Sequence, residues 1–214
     1  MKIPFTTQDF FDVILQYNHL FFPAQVIIIL LGFAALFLVL SKHNRAAKLI
    51  ASFLGILWLW AGIAYHFAFF TSINPAAWGF GSLFVLQALF FFYEGLIRKR
   101  IAFEFEKNAR SYLALFFILY GILIYPLIQM ITHSGWQEII SLGLPCPTTI
   151  LTFGFLLFSE KTAKKYLLII PSNWTLIGLG AAINFGVWQD FMMLIAALSA
   201  NIWILSRKKN KAEA

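Results

Sequence analysis

Few side chains in this sequence can do chemistry, and most of those that can lie in or beside long apolar runs. One cysteine, Cys146, stands between two prolines in the passage Gly143-Leu144-Pro145-Cys146-Pro147-Thr148-Thr149. Pro147 removes a backbone donor and its ring disfavours a helical conformation at Cys146, while Pro145 does the same to Leu144. The spacing predicts a helix that starts near Pro147, with its free N–H groups and the Thr148 and Thr149 hydroxyls facing whatever lies in front of that end. A thiol beside such a helix start suits an anion or substrate site or a soft-metal ligand, and the helix dipole would make it more reactive. The competing reading is structural: a proline-led helix start whose cysteine is a small buried hydrophobe.

Other polar groups are sparse, and each one in an apolar run needs a reason because a strongly polar or ionisable side chain at the centre of a bilayer costs about 2.5–3.5 kcal/mol on insertion scales. His66 follows Tyr65 near one end of an apolar run, and it either reaches headgroup water or lines a cavity. Gln87 sits mid-run, where it can hydrogen-bond across a helix interface. Glu94 precedes Arg98 by four residues, which predicts an ion pair on one helix face. His133, Glu138 and Asp190 read as solvated loop groups. A candidate cavity therefore comprises His66, Asn74, Cys146, Thr148, Thr149 and Asn184, with Gln87 deeper and the Pro145–Pro147 helix break beside it. Metal chemistry would need His66, Cys146 and a third donor from elsewhere. No paired-ligand spacing supplies one, which leaves a metal open. A lone cysteine excludes an internal disulfide and a Cys-only metal cage. The sequence has no glycine-rich phosphate loop, Ser-His-Asp pattern or nucleotide fingerprint, so no cofactor is expected.

The elements that must position these groups are apolar helices. The 214 residues are 61% hydrophobic and 12% charged, and the mean hydropathy is +0.80. That leaves too little polar surface for a globule in water, and lipid must be part of its solvent. Seven runs approach the length needed to cross about 30 Å of hydrocarbon at about 1.5 Å per residue: 22–40, 49–70, 77–97, 112–132, 142–158, 166–185 and 188–206. Of the 16 Lys and Arg residues, all but Lys2 fall after the first, third, fifth or seventh run. Basic residues stay cytoplasmic during insertion, so the expected fold is an all-α integral membrane protein of seven transmembrane helices, N-terminus out and C-terminus in. Six crossings is the alternative if the proline-broken fifth run is re-entrant. The net charge of +7 then marks topology, and nucleic acid is not an expected partner; the lipid bilayer is.

Residues 1–21 contain Phe10, Val13, Ile14, Tyr17 and Leu20 at helical spacing, with Thr6 or Thr7 as N-cap beside Asp9. They predict a separate amphipathic helix on the outer leaflet, ahead of a transmembrane domain over 22–206 and a basic tail over 207–214. Nor do they have the form of a cleavable signal peptide. Trp78, Trp136 and Trp188 fall at expected outer interfaces. The stretch Arg98–Arg110 alternates Phe103 and Phe105 with Glu104 and Glu106, as an amphipathic surface segment does.

A parallel 3+1+3 repeat is suggested by Pro23 with Gly32-Phe33 against Pro145 with Gly154-Phe155, and by Gly62, Ala64, His66 and Phe67 against Gly180, Ala182, Asn184 and Phe185. Pro23-Ala24-Gln25, Tyr65 to Phe70, Ile73 to Ala77, Gln87-Ala88 and Gly143 to Thr149 together resemble a bacterial multi-pass membrane family of unknown function. The resemblance covers most of the chain and implies a bacterial inner membrane, but no activity. A 3+1+3 layout is also similar to that of the sugar-transporting SWEET proteins, whose Pro-Gln motif is missing here.

The first expectation for function is a small-solute or ion transporter or permease with an outward-facing polar cavity. The alternatives are a membrane-embedded enzyme or thiol and metal handler using His66 and Cys146, and a structural or sensory membrane subunit without chemistry.

Overall fold

A computed structural model describes residues 4–132, 138–159 and 162–206, apart from the side chain of Ala181. The expected positions Lys2, His133, Trp136, Lys161 and the basic tail lie outside the described residues. The described chain is all-helical, with helices α1 Thr7–Leu40, α2 Ala46–Ser72, α3 Ala77–Ile97, α4 Ala109–Thr132, α5 Pro145–Phe158, α6 Lys165–Phe185 and α7 Trp188–Ser206. All but α5 are long and apolar enough to cross a membrane. Their outer faces carry exposed Leu30, Phe37, Ile56, Leu89, Leu127, Ile183, Leu198 and Ile202 among others. A surface this apolar on so many helices is stable against lipid and not against water.

The first helix runs across residue 21, where the sequence suggested a division. Thr6 and Asp9 form a reciprocal capping box, the Thr6 N–H reaching Asp9 Oδ2 at 2.8 Å. From there α1 runs for 34 residues without a break. Pro23 costs it one backbone bond, and side chains bridge that turn: Gln25 Nε2 donates to Asn18 Oδ1 at 2.5 Å, and Asn18 Nδ2 donates to the Ile139 carbonyl at 2.9 Å. The stripe of Phe11, Ile14 and Tyr17 is buried against the rest of the protein, where Trp60 Nε1 donates to the Tyr17 hydroxyl at 2.7 Å. The helical periodicity is present, but its apolar face packs on protein because aromatic partners on α2 await it.

Helix α5 is the core of the bundle. Every one of its 14 residues except Cys146 is buried. A helix of that length spans about 21 Å, and it is fed by an extended stretch in which Leu142 and Leu144 are buried. The fit against α4 is close: a Cβ on Gly154 would stand 2.9 Å from the Ala114 carbonyl oxygen, and one on Gly121 would stand 2.8 Å from that of Pro147.

The loops after α1, α3 and α5 gather at one end. Phe158 at the end of α5 accepts from the Glu104 N–H at 3.0 Å, Thr162 bonds both backbone groups of Ala102, and residues 42–47 share a groove with Ala102–Glu106. Arg110 Nη1 donates to the Leu157 carbonyl at 2.6 Å and pairs with Glu106. The expected surface segment at Arg98–Arg110 is a non-helical strap over residues 98–108, with Ile101 and Phe103 buried and Phe103 edge-on to Phe155, and Ala109 and Arg110 open α4. Its alternation turns the phenylalanines toward the bundle, where the Phe158 carbonyl and the Thr162 hydroxyl accept from the N–H groups of Glu104 and Ala102.

Positions paired by the suspected repeat sit in unlike surroundings. His66 is buried and Asn184 exposed; a Cβ on Gly62 would crowd the Gly81 carbonyl, while one on Gly180 would meet open space.

Candidate functional site

At the end opposite the basic loops, the stretch before α5 makes a turn closed by the Leu144 N–H to the Ser141 carbonyl at 3.0 Å. Gly143 adopts φ +103 there, a region that favours glycine. Leu144 is extended, the conformation favoured before a proline, and the helix begins at Pro145, ahead of the expected Pro147, so that Cys146 is helical although a proline follows it. Both prolines occupy the first turn, where missing N–H groups are no loss. The Thr148 and Thr149 hydroxyls have local partners: Thr149 Oγ1 donates to the Pro145 carbonyl at 2.8 Å, and Thr148 Oγ1 accepts from the Gly143 N–H at 3.3 Å. Both side chains are buried.

Cys146, the one incompletely buried residue of α5, opens onto a cavity of about 550 Å³. Asn74 and Asn184 line it as well, so three of the expected residues converge. The asparagines are locally engaged: Asn74 Oδ1 accepts from the Ala76 N–H at 3.1 Å, and Asn184 Nδ2 donates to the Gly180 carbonyl at 2.7 Å. The remaining lining is mostly apolar and aromatic, from Phe5, Phe10, Tyr65, Phe70, Phe80, Trp174 and Phe185. The first turns of α1 close over it, Phe10 stacking on Phe185 at 4.8 Å between centroids and Phe5 edge-on to Phe70 at 5.4 Å.

The group that sequence reasoning misplaced is Asp190. It is 1% exposed, lines the cavity, and accepts a hydrogen bond at 2.5 Å from the hydroxyl of Tyr125, another lining residue. The Cys146 thiol lies beside the same carboxylate. Gly186 in the left-handed conformation ends α6, and a 3-10 turn over Trp188–Asp190 swings the acid inward. Two further contacts fasten that turn to α4: the Tyr120 hydroxyl donates to the Gln189 carbonyl at 3.3 Å, and Gln189 Nε2 donates to Gln129 Oε1. The available signal was an acid at the head of an apolar run with a tyrosine inside another.

Three other residues singled out in the sequence lie outside the cavity lining. His66 is fully buried behind the cavity wall, ringed by Tyr65, Phe70, Phe80, Phe84 and Trp174, and neither ring nitrogen has a hydrogen-bond partner. Gln87 stays outside the cavity and donates from Nε2 to the Leu167 carbonyl at 3.1 Å, tying α3 to α6. The ion pair from Glu94 to Arg98 does not form. Glu94 is buried and accepts from the Tyr166 hydroxyl, while Arg98 stays exposed and donates from Nε to the Tyr93 hydroxyl at 2.6 Å. Buried Glu94 turns inward to a neutral donor, and the guanidinium keeps its hydration.

Among the described residues no three or more His, Cys, Asp or Glu side chains are grouped so that they could hold a metal ion. The anion reading of the α5 start also loses ground, because an acid stands beside Cys146. What the arrangement offers is a small-molecule-sized, mainly apolar chamber with one carboxylate in its wall.

Fold and chamber define an all-helical protein whose apolar helices could span a membrane around a ligand-sized cavity. The chain belongs to a family of unknown function (DUF6064), whose sequence model matches residues 7–213. No curated protein and no solved structure matches it.

Proposed function

We propose that this protein is a small-solute transporter or permease of a bacterial cytoplasmic membrane, with seven crossings, the N-terminus outside and the C-terminus inside. The observation that carries the reading is the cavity of about 550 Å³ that holds Asp190 and Cys146 at the end of the bundle away from the basic loops. Under the rule that basic loops stay in the cytosol, that end faces out. Support for α5 as a crossing comes from its two ends, Cys146 at the cavity and Phe158 hydrogen-bonded to the basic strap. Its shortness is made up by the buried extended lead-in, and irregular backbone is tolerated at depth where protein surrounds it. The first turn of α5 borders the chamber and serves as the solute-facing element, as broken helices do in transporters.

Reconstituted proteoliposomes test this. Saturable flux of small organic solutes is expected, slowed by Asp190→Asn. Absence of flux for neutral, cationic and anionic solutes alike, in protein whose Cys146 reacts with a thiol reagent from the outer face, would overturn it.

A further inference from the structure

The geometry points to a lipophilic organic cation, an amine or ammonium on an aromatic or alkyl body, as the ligand of this cavity. The inference rests on the transporter reading for its setting and adds the substrate class.

Asp190 carries it first. A carboxylate this buried is expensive unless something positive or hydrogen-bonding meets it. Of the groups that face it, α4 supplies the neutral Tyr125 and α5 the thiol of Cys146, and no Lys, Arg or His among the described residues forms an ion pair with it. Among the described residues the titratable groups around it, Tyr125, Cys146, Tyr120 and Tyr65, supply no cation, so an ammonium ligand can meet the acid unopposed. An ammonium group supplies both the charge and N–H donors for the carboxylate lone pairs that Tyr125 and the Cys146 thiol leave free.

The walls supply the second observation. Tyr65, Phe80 and Trp174 line the space, and an aromatic lining stabilises a cation that has left water. Trp174 is 8% exposed, and at the cavity wall its Nε1 has the weakly accepting Cys146 sulfur beside it but no hydrogen bond of good geometry. A buried indole N–H with only a weak sulfur acceptor can be taken by a stronger ligand acceptor such as an ether or hydroxyl oxygen. Lipophilicity follows from the wall on α6, where Leu176 and Ile177 line the cavity and are 66% and 41% exposed. An apolar, accessible wall of this kind suits the aromatic or alkyl body of an amphiphilic cation.

The test uses the single cysteine as reporter. Purified full-length protein in detergent is treated with methyl methanethiosulfonate, and Cys146 modification is followed by intact mass, with and without phenethylammonium or its neutral near-isostere phenethyl alcohol. The expected result is that phenethylammonium slows modification several-fold, the alcohol does not, and Asp190→Asn abolishes the difference. Equal protection by both compounds overturns the cation assignment and leaves a transporter of neutral solutes standing. Protection by neither, with Cys146 reactive, also overturns the cation assignment and leaves the flux assay to decide the rest. Failure of Cys146 to react at all removes the open cavity and both readings with it. Should Asp190→Asn not fold, the comparison of the two compounds on the unmodified protein decides alone.

Discussion

The Tyr125 hydroxyl donates to Asp190 Oδ1 at 2.5 Å, joining the middle of the chain to the head of α7 through two buried side chains at the cavity wall. A hydrogen bond to a charged or charge-sharing acceptor contributes about 1.5–3 kcal/mol net, and leaving the acceptor unpaired costs a comparable amount. Tyr125→Phe should therefore lower stability in detergent by about 2 kcal/mol. Asp190→Leu on that background should restore part of it. A double-mutant cycle read by thermal or denaturant unfolding checks this, and additive single effects would show that the two side chains are not coupled.

The aromatic clasp of Phe10 on Phe185 closes the cavity on the α1 side. Phe10→Ala removes a stacked ring pair, worth about 0.5–1.5 kcal/mol beyond its buried area, and widens the mouth. The rate of Cys146 labelling should rise several-fold, whereas Phe37→Ala, on an exposed face of the same helix, should leave it unchanged. Equal rates in all three proteins would mean that the N-terminal turns do not gate access.

Much of the helical framework was legible because apolar run length and the confinement of basic residues to alternate loops are set by the cost of burying charge in lipid, a property of composition. The converging Asn74, Cys146 and Asn184 were legible for the same reason, since topology places all three at one end. Lateral packing was not. Asp190 reads in sequence as a loop acid, and only the Gly186 turn and the reach of Tyr125 from a helix more than sixty residues earlier bring it indoors. His66 fails in the opposite sense: an end-of-helix histidine should meet water, but five aromatic rings from α2, α3 and α6 reach it first. Residues 7–21 show the helical period plainly, yet a period does not say whether lipid or protein lies against the apolar face.

The glycines at the α4–α5 contact set how closely the core helix can sit. A Cβ at Gly154 would stand 2.6 Å from Ile118 Cγ1 and 2.9 Å from a backbone oxygen that cannot swing aside. Gly154→Ala should cost about 1–3 kcal/mol through overpacking, despite the better helix propensity of alanine. Gly79→Ala, where no atom lies within 4 Å, should be neutral or slightly stabilising. Melting temperatures of the two variants in one detergent make the comparison; a tolerated Gly154→Ala would mean that α5 is less tightly held than its burial implies.

Glu94 separates an ion pair from a hydrogen bond. It accepts from the Tyr166 hydroxyl and leaves Oε2 unpartnered, while Arg98 is exposed and occupied by Tyr93. Tyr166→Phe should destabilise by about 1–3 kcal/mol, because a buried acceptor loses its donor. Arg98→Ala should stay within about 0.5 kcal/mol, as exposed substitutions usually do. A larger loss from Arg98→Ala than from Tyr166→Phe would reinstate the ion pair.

Orientation depends on whether α5 traverses the bilayer. Its first turn touches the cavity that also holds the end of α2 and the start of α7, and its last carbonyls bond the basic strap after α3. A helix that dipped and returned would put its two ends at the same face, and the clusters after the fifth and seventh helices would then lie outside, against the charge rule. Seven crossings place the termini in different compartments. A protease-cleavable tag on the N-terminus should be lost when protease is added to intact spheroplasts, and one on the C-terminus should survive until lysis. Loss or survival of both tags together would leave an even number of crossings and remove the outward face from the chamber.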